Sequence, residues 1–393
     1  MNTKTKDKKY LGRDSYNTTL EIVKSDGNYL IDSKRKKYID FLMGWCVGNI
    51  GWGNKEVKNK IKKYSGPDYV LPDFLYKKWT ELAELLARIT PGKLQKCFRA
   101  TGGTESVEIA LQAAMMHTKR NKFISIEGSY HGHSIGAMSV GDSAFRNWYN
   151  NLLPNCYKIQ PPLDENALKK VKELLEGKDV AALIIEPIIC NLGVTIPEKK
   201  FMTGIQKYCK QFGTLLIMDE VATGFGRTGK MFASEHYNIK PDIMCLAKGI
   251  TGGYGGLGCT ITTPEVAKSM EFDFSFYSTF GWQPLNVEAA LANLNYLIKN
   301  KKKILTNVDK ISRYFNKRLR EIKFKHTPVI RIKGLAIAIE FNDDKYVSEV
   351  AEKCKDKGLI LSTSNNKIIT IFPALNIDIK TTEKGLRILQ NCV

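Results

Sequence analysis

Two apolar runs that each stop at a charge constrain this chain more than any other feature. Residues 215–259 read LLIMDEVATGFGRTGKMFASEHYNIKPDIMCLAKGITGGYGGLGC. LLIM stops at Asp219 and Glu220; DIMCLA stops at Lys248 and a glycine-rich turn. Short apolar runs of this kind read as buried strands. Each strand would present one charged group at the C-terminal edge of a sheet, where open α/β sheets bind their ligands. A carboxylate and an amine buried there both need partners, because an unpaired buried charge is very costly.

Two other motifs in the stretch carry less. Gly224–Lys230 has the P-loop spacing G-x-x-x-x-G-K, but Met231 stands where Ser or Thr should bind magnesium. Gly253, Gly255 and Gly258 space as G-x-G-x-x-G, yet a dinucleotide site needs a helix next and CTITT is strand-like. One cofactor uses both charges. Pyridoxal phosphate (PLP) forms a Schiff base with a lysine, and a carboxylate keeps its ring nitrogen protonated. The stretch resembles the class III, fold-type I PLP-dependent aminotransferases. DEVATGFGRTG is most similar to their diaminopelargonic acid synthase branch, which also shows alanine at the position of Ala222, and the ω-amine transaminases are a second likeness.

The resemblance covers about residues 20–390 and implies a set of roles. Lys248 is the Schiff-base lysine and the proton-moving base, and Asp219 holds the ring nitrogen. Val221, two residues past Asp219 on the same strand face, packs under the ring. In CFRATGGTESVEIALQAAMMHT a strand, a glycine turn and a helix follow one another, so Gly102, Gly103 and Thr104 are candidates for the phosphate, at a helix start whose amides favour anions. Thr104 as a simple helix cap is the alternative. Tyr130 of Tyr-His-Gly matches the aromatic that stacks on the ring, and Glu186, at the end of the buried run AALIIEP, is a further cofactor contact. Thr279 matches a threonine that reaches the phosphate of the neighbouring subunit's cofactor, which implies a homodimer with shared sites.

The substrate side matches less well. Trp45, in MGWCVGNIGWG, either lines the entrance or serves packing. His133 stands where ornithine- and 4-aminobutyrate-type members carry arginine. Asn191 and Thr370 replace their gate glutamate and its arginine partner, and residues 361–366 hold no arginine. Arg331 or Arg227 turning inward is the remaining source of a carboxylate clamp. His131 and His133 are spaced for a metal pair, but no third ligand lies near in sequence, so no metal is expected.

The implied fold is α/β: a large domain with a mostly parallel seven-stranded sheet, residues 56–290, and a small α+β domain built from both termini, residues 1–55 and 291–393. Local patterns agree. Asp26-Gly27 marks a hairpin. Residues 77–90, 164–178 and 199–212 have helical periodicity, and a long helix over 284–322 should break near Lys301. Residues 1 to about 20 are polar and expected to be mobile.

Composition excludes some classes. Net charge is +20, from 60 Lys+Arg against 40 Asp+Glu. Without interleaved aromatics this reads as a solvated lysine surface rather than a nucleic-acid site. No apolar run reaches membrane-span length, and the lysine-rich start lacks the apolar stretch of a leader. Nine scattered cysteines suggest no disulfide or zinc framework and fit a reducing cytoplasm. The expected function is transamination between a small amine, with an ω-amino or simple amine group, and a carbonyl acceptor. An aminomutase, racemase or decarboxylase of the same fold, or diaminopelargonic acid synthesis, are the alternatives. A catalytically silent basic binding protein would give no reason for Asp219 and Lys248 to end two strands.

Overall fold

The computed structural model describes residues 2–12, 20–272 and 275–393. The polar start holds a helix, α1 (Thr3–Tyr10), whose first turn is capped by the Asn2 side chain accepting from Thr5 N. The part of the mobility expectation on residues 13–19 lies outside the described residues. The Asp26-Gly27 signal makes the hairpin of β1 (Ile22–Asp26) and β2 (Tyr29–Asp32), with Gly27 at φ 55°. Next come β3 (Lys37–Asp40), a single turn α2 (Met43–Cys46), and helices α3 (Lys55–Lys62) and α4 (Lys77–Ile89). The expected periodicity of α4 buries Trp79, Leu82, Leu85 and Leu86 on one face.

Strands and helices then alternate: β4 (Lys96–Ala100), α5 (Gly103–Thr118), β5 (Lys122–Ile126), α6 (Ile135–Val140), β6 (Cys156–Ile159), α7 (Glu165–Leu175), β7 (Val180–Ile185), α8 (Lys199–Phe212), β8 (Leu215–Asp219), β9 (Ile243–Leu246) and β10 (Gly258–Thr262). They form one seven-stranded sheet in the order β4-β10-β9-β8-β7-β5-β6. All pairs are parallel except those of β10, which runs against both β9 and β4.

β7 and β9 are apolar at every position, and β8 up to its last residue Asp219, because both faces are covered. Ile217, Ile243 and Cys245 share one core with Val107 and Ala110 of α5. Their neighbours Leu216, Met218, Met244 and Leu246 share the other with Phe201, Met202 and Ile205 of α8. Each such side chain contributes about 1.5–3 kcal/mol by burial. Parallel strands sandwiched this way lose the alternation of a half-buried strand. Their C-terminal ends are therefore the first places a charge can stand.

The chain continues through α9 (Pro264–Ala267), α10 (Pro284–Lys299) and α11 (Lys301–Glu321). The expected break falls at Asn300, whose Nδ2 donates to Tyr296 O at 2.9 Å. The rest is β11 (Val329–Lys333), β12 (Ala336–Glu340), α12 (Asp344–Asp356), β13 (Leu359–Ile360), β14 (Ser362–Ser364), β15 (Ile368–Ile371) and α13 (Ile379–Gln390). Two small sheets result, β1-β2-β3-β13 and β11-β12-β15-β14. The parallel pairing of β13 with β3 joins the C-terminal part of the chain to the N-terminal part. No described helix is long and apolar enough to cross a membrane.

Candidate active site

Parallel pairing of β8 with β9 sets Asp219 opposite Cys245, and Lys248 follows the end of β9. Both side chains open onto one cavity of about 650 Å³. Gly102, Gly103, Thr104, Tyr130, His133, Glu186, Asn191, Val221 and Trp45 line it too. Thr279 does not. It is exposed and lines a second, more open cavity that shares Gly102, Gly103 and Thr104 of the same chain.

Asp219 is 3% exposed, and two donors fix its carboxylate. Oδ1 accepts from Val221 N at 3.0 Å, and Oδ2 pairs with His131 Nδ1 at 2.7 Å. A carboxylate paired in this way only accepts, so Nδ1 carries the hydrogen. The first of these bonds corrects one expectation. β8 stops at Asp219, and Val221 sits in the turn that the carboxylate closes rather than on a strand face. The neighbouring Glu220 points away. It accepts from Thr223 Oγ1, Ala233 N and Ser234 N, and so satisfies the start of a 3-10 turn.

The Tyr-His-Gly turn sends its side chains to different places. Tyr130 stands at the cavity, and its hydroxyl meets His133 Nδ1 at 3.2 Å. His131 goes beneath, to Asp219, so the two histidines do not converge on a metal. No group of three metal-ligating side chains occurs among the described residues. A Cβ on Gly132 (φ 134°) would stand 2.5 Å from Thr104 Oγ1, so only glycine lets this turn approach α5.

At the start of α5, Gly102 is the cap residue and no side chain caps it, so Thr104 does not serve as a cap. A Cβ on Gly103 would lie 3.0 Å from Val221 Cγ1. The first-turn backbone can thus come close to the carboxylate's turn, beside the cavity.

Lys248 opens a 3-10 turn, Lys248–Ile250, and is itself left-handed at φ 44°. Such a conformation needs support. The fully buried Asn293 of α10 supplies it, with Nδ2 donating to Gly249 O at 2.8 Å and Ile250 O at 3.1 Å. Burial, and after it the charge of Asp219, push the Glu186 carboxyl up to about 8. At neutral pH it is therefore mostly protonated. Its Oε2 accepts from Cys190 N at 3.2 Å, and Oε1 has no hydrogen-bond partner.

Part of the cavity lining is apolar. Trp45, Cys46, Val47, Cys190 and Phe372 form it, with the Trp45 and Phe372 rings 6.3 Å apart. Among the described residues no arginine lines the cavity. Arg227 is buried, with Nη1 donating to Leu335 O and Pro373 O. Arg331 donates from Nε to Gly193 O and pairs with Glu340. Thr370 is buried in β15, and Asn191 Nδ2 donates to Gly128 O at 3.3 Å.

This donor set fits PLP. It offers an amine for the aldehyde, a buried carboxylate for the ring nitrogen and a flat phenol for the ring face. The first amides of a 16-residue helix suit the phosphate. The buried Glu186 carboxyl is a further polar group at the cavity.

Comparison with known proteins points the same way. The family model for class-III aminotransferases matches residues 10–393. Among solved structures, a Bacillus anthracis aminotransferase is 28% identical with a TM-score of 0.92, over 100% of this chain and 99% of that one. The adenosylmethionine-8-amino-7-oxononanoate aminotransferase of Methanocaldococcus jannaschii is 32% identical with a TM-score of 0.90, over 99% and 98%. A transaminase from the marine bacterium Virgibacillus is 26% identical with a TM-score of 0.92, over 99% and 97%.

Proposed function

This chain belongs to the class-III aminotransferase family, whose members are PLP-dependent enzymes, and from that premise we propose that its cavity holds PLP and that its donor is an ω-amino or simple amine. The observation that carries this reading is that Asp219 and Lys248, from the ends of adjacent parallel strands, meet in one cavity with the first turn of α5. When bound, PLP supplies an aldehyde that takes up the amino group and a cationic ring that accepts the electron pair from the substrate carbon.

The chain's own residues do the rest. Lys248 takes a proton from the substrate carbon and returns it one position along, as a positioned base and acid. Asp219, braced by His131 and the Val221 amide, keeps a proton on the ring nitrogen. Tyr130 and Val221, both in the cavity lining, would cover the ring's faces and exclude water. The amides at Gly102, Gly103 and Thr104 hold the phosphate, and Glu186 offers a neutral O–H to the cavity. The test is a visible spectrum: the purified protein should be yellow, bleach with an amine donor and recover with a carbonyl acceptor. A protein that takes up no PLP, or whose band no donor bleaches, sinks the reading.

Diaminopelargonic acid synthesis is a second reading. The 32% identity to the Methanocaldococcus enzyme supports it, as does Ala222. Efficient use of 8-amino-7-oxononanoate as acceptor would single it out.

The arginines decide what the substrate end refuses. Neither Arg227 nor Arg331 lines the cavity: Arg331 is held by Gly193 O and Glu340, and Arg227 is held through Nη1 by Leu335 O and Pro373 O, its charge reaching Cys46 and Cys190 of the lining. A guanidinium fork grips a carboxylate through two parallel bonds, which neither Asn191 nor His133 reproduces. We expect ornithine and 4-aminobutyrate to be poor donors. 2-Oxoglutarate should be a weak acceptor, with an apparent affinity above about 1 mM, the upper end of the ordinary substrate range. Stopped-flow recovery of the yellow form measures it, and a sub-millimolar value would mean that another cation binds the carboxylate.

A homodimer is the proposed assembly. Phe74, Leu75, Phe272, Tyr277 and Phe280 are more than half exposed, with Leu75 at 99%. Clustered exposure of large apolar groups marks an association surface. Ser278 and Thr279 lie beside the first turn of α5 on this side of the molecule. Light scattering should therefore give twice the monomer mass. Thr279→Ala should weaken PLP retention by about 1.5–3 kcal/mol, the value of one bond to a charged group. A fully active monomer refutes the assembly. All nine cysteines are free thiols, which supports a reducing compartment, the cytoplasm.

A further inference from the structure

The loop that follows Glu186 holds a valine in a conformation that valine avoids. Gly193 and Val194 are both left-handed, at φ 60° and 55°. Glycine adopts this region freely, but a β-branched residue there is an outlier that its surroundings must hold. Val194 is fully buried, and its neighbours close a bridge across the loop. Ile189 N donates to Thr195 O at 2.9 Å, and Thr195 N donates to Ile189 O at 3.0 Å. Inside that bridge Val194 N reaches Cys190 O at 3.4 Å, a long and therefore weak bond.

A stronger hold comes from 138 positions along the chain. Arg331 of β11 donates from Nε to Gly193 O, and its Nη2 pairs with Glu340 of β12. Gly193 O belongs to the peptide that joins the two left-handed residues. Turning that one peptide over changes ψ of Gly193 and φ of Val194, and it would carry Val194 to the extended region that valine prefers. The same movement would take the carbonyl away from the guanidinium. A hydrogen bond from a charged donor is about twice as strong as a neutral one, so Arg331 opposes the movement. The fit is close. A Cβ on Gly193 would stand 2.6 Å from Arg331 Nη2 and 2.7 Å from Ile368 Cδ1.

The loop bears on the cavity in two ways. Cys190 and Asn191 belong to the lining, and Cys190 N donates to Glu186 Oε2 at 3.2 Å. Asn191 Nδ2 donates to Gly128 O at 3.3 Å, two residues before Tyr130. A Cβ on Gly128 would stand 2.8 Å from Leu192 Cδ1, so the loop lies directly on the turn that carries Tyr130.

We propose that Arg331 is a positioning residue: by holding the Gly193–Val194 peptide it keeps the Cys190–Val194 loop wound, and through that loop it keeps Glu186 in place at the cavity. The arginine acts on the site from behind and not as a clamp inside it. The part played by Glu186 in the chemistry rests on the transaminase reading; the hold on the loop does not.

Alkylation of the apoprotein by iodoacetamide, read by peptide mass spectrometry, tests the loop without turnover. Cys190 and Cys46 line the same cavity from different elements and are 6% and 5% exposed, so Cys46 is the internal control. Arg331→Ala should label Cys190 about tenfold faster, the scale of releasing one strained residue, with Cys46 near its wild-type rate. In a Val194→Gly background the same substitution should change the rate less than about threefold, because glycine has no strain to release. Equal acceleration of both thiols, or an unchanged Cys190, overturns the proposal. So does a full tenfold effect in the Val194→Gly background. In the holoenzyme, the pH profile of single-turnover bleaching by an amine reads Glu186. The groups that face it are Asp219 of β8, Lys248 of the turn after β9, Cys46 of α2 and Cys190 of the loop itself. The Cys190 amide favours the Glu186 anion, so losing it should move an alkaline limb due to Glu186 to higher pH in Arg331→Ala. A limb that stays in place while Cys190 labels faster overturns the step from the loop to Glu186. A wild type that no amine bleaches removes the transaminase reading instead, and the labelling still decides the hold on the loop.

Discussion

Lys248→Ala should lower turnover by about four orders of magnitude or more. A positioned general base alone is worth about 10²–10⁴-fold, and this substitution also removes the amine that would carry the cofactor covalently. The loss should not come from unfolding. Lys248 sits in a turn whose carbonyls are held by Asn293, and alanine meets the same left-handed backbone at no greater cost. Circular dichroism and the melting temperature should therefore stay near wild type. The groups at Gly102–Thr104, Asp219 and Tyr130 remain, so the variant should still bind PLP, but reversibly. Borohydride reduction should fix the cofactor to the wild-type protein and leave it removable by dialysis from the variant. A purified variant with more than a trace of transamination would falsify the assignment of Lys248.

The sequence exposed the parts of this site that depend on strand ends. β8 and β9 are apolar without interruption because both sheet faces are covered, so their terminal charges stand out against the pattern. Turn chemistry was legible at Asp26-Gly27, while the need for glycine at Gly132 came only from its approach to Thr104. What escaped were side chains whose partners lie far along the chain. His131 pairs with a residue 88 positions away, and Asn293 reaches back 44 positions to Gly249. Neither spacing leaves a local signal, and His131 invited a metal reading only because His133 is near. Val221 was misplaced by extending the strand's period past the point where the Asp219 side chain closes a turn on its amide. Nothing in NLGV announces that its valine is left-handed, because β-branched residues ordinarily avoid that conformation.

Asp219 should carry the second-largest effect. Its carboxylate is buried, accepts from His131 and the Val221 amide, and stands in the cavity with no lysine or arginine paired to it among the described residues. Breaking a buried charge pair by removing one partner costs about 3–5 kcal/mol. At about 1.36 kcal/mol per decade, Asp219→Asn should lower kcat about 10²–10⁴-fold. The amine KM should move less, because the lost interaction concerns the ring and not the substrate's own contacts. His131→Ala should cost less, about 10–100-fold, since it removes one bond to the charged carboxylate and leaves the charge in place. The pH profile separates this account from a general loss of structure. Burial is the first cause that lifts Glu186 to about 8, and the Asp219 charge is the second. Removing that charge lowers the pH at which Glu186 gives up its proton, so an alkaline limb due to Glu186 should shift to lower pH in Asp219→Asn. The same limb should vanish in Glu186→Gln, which keeps a neutral donor at every pH. An Asp219→Asn enzyme with wild-type kcat would remove Asp219 from the chemistry. A limb that survives Glu186→Gln would belong to another group in the cavity.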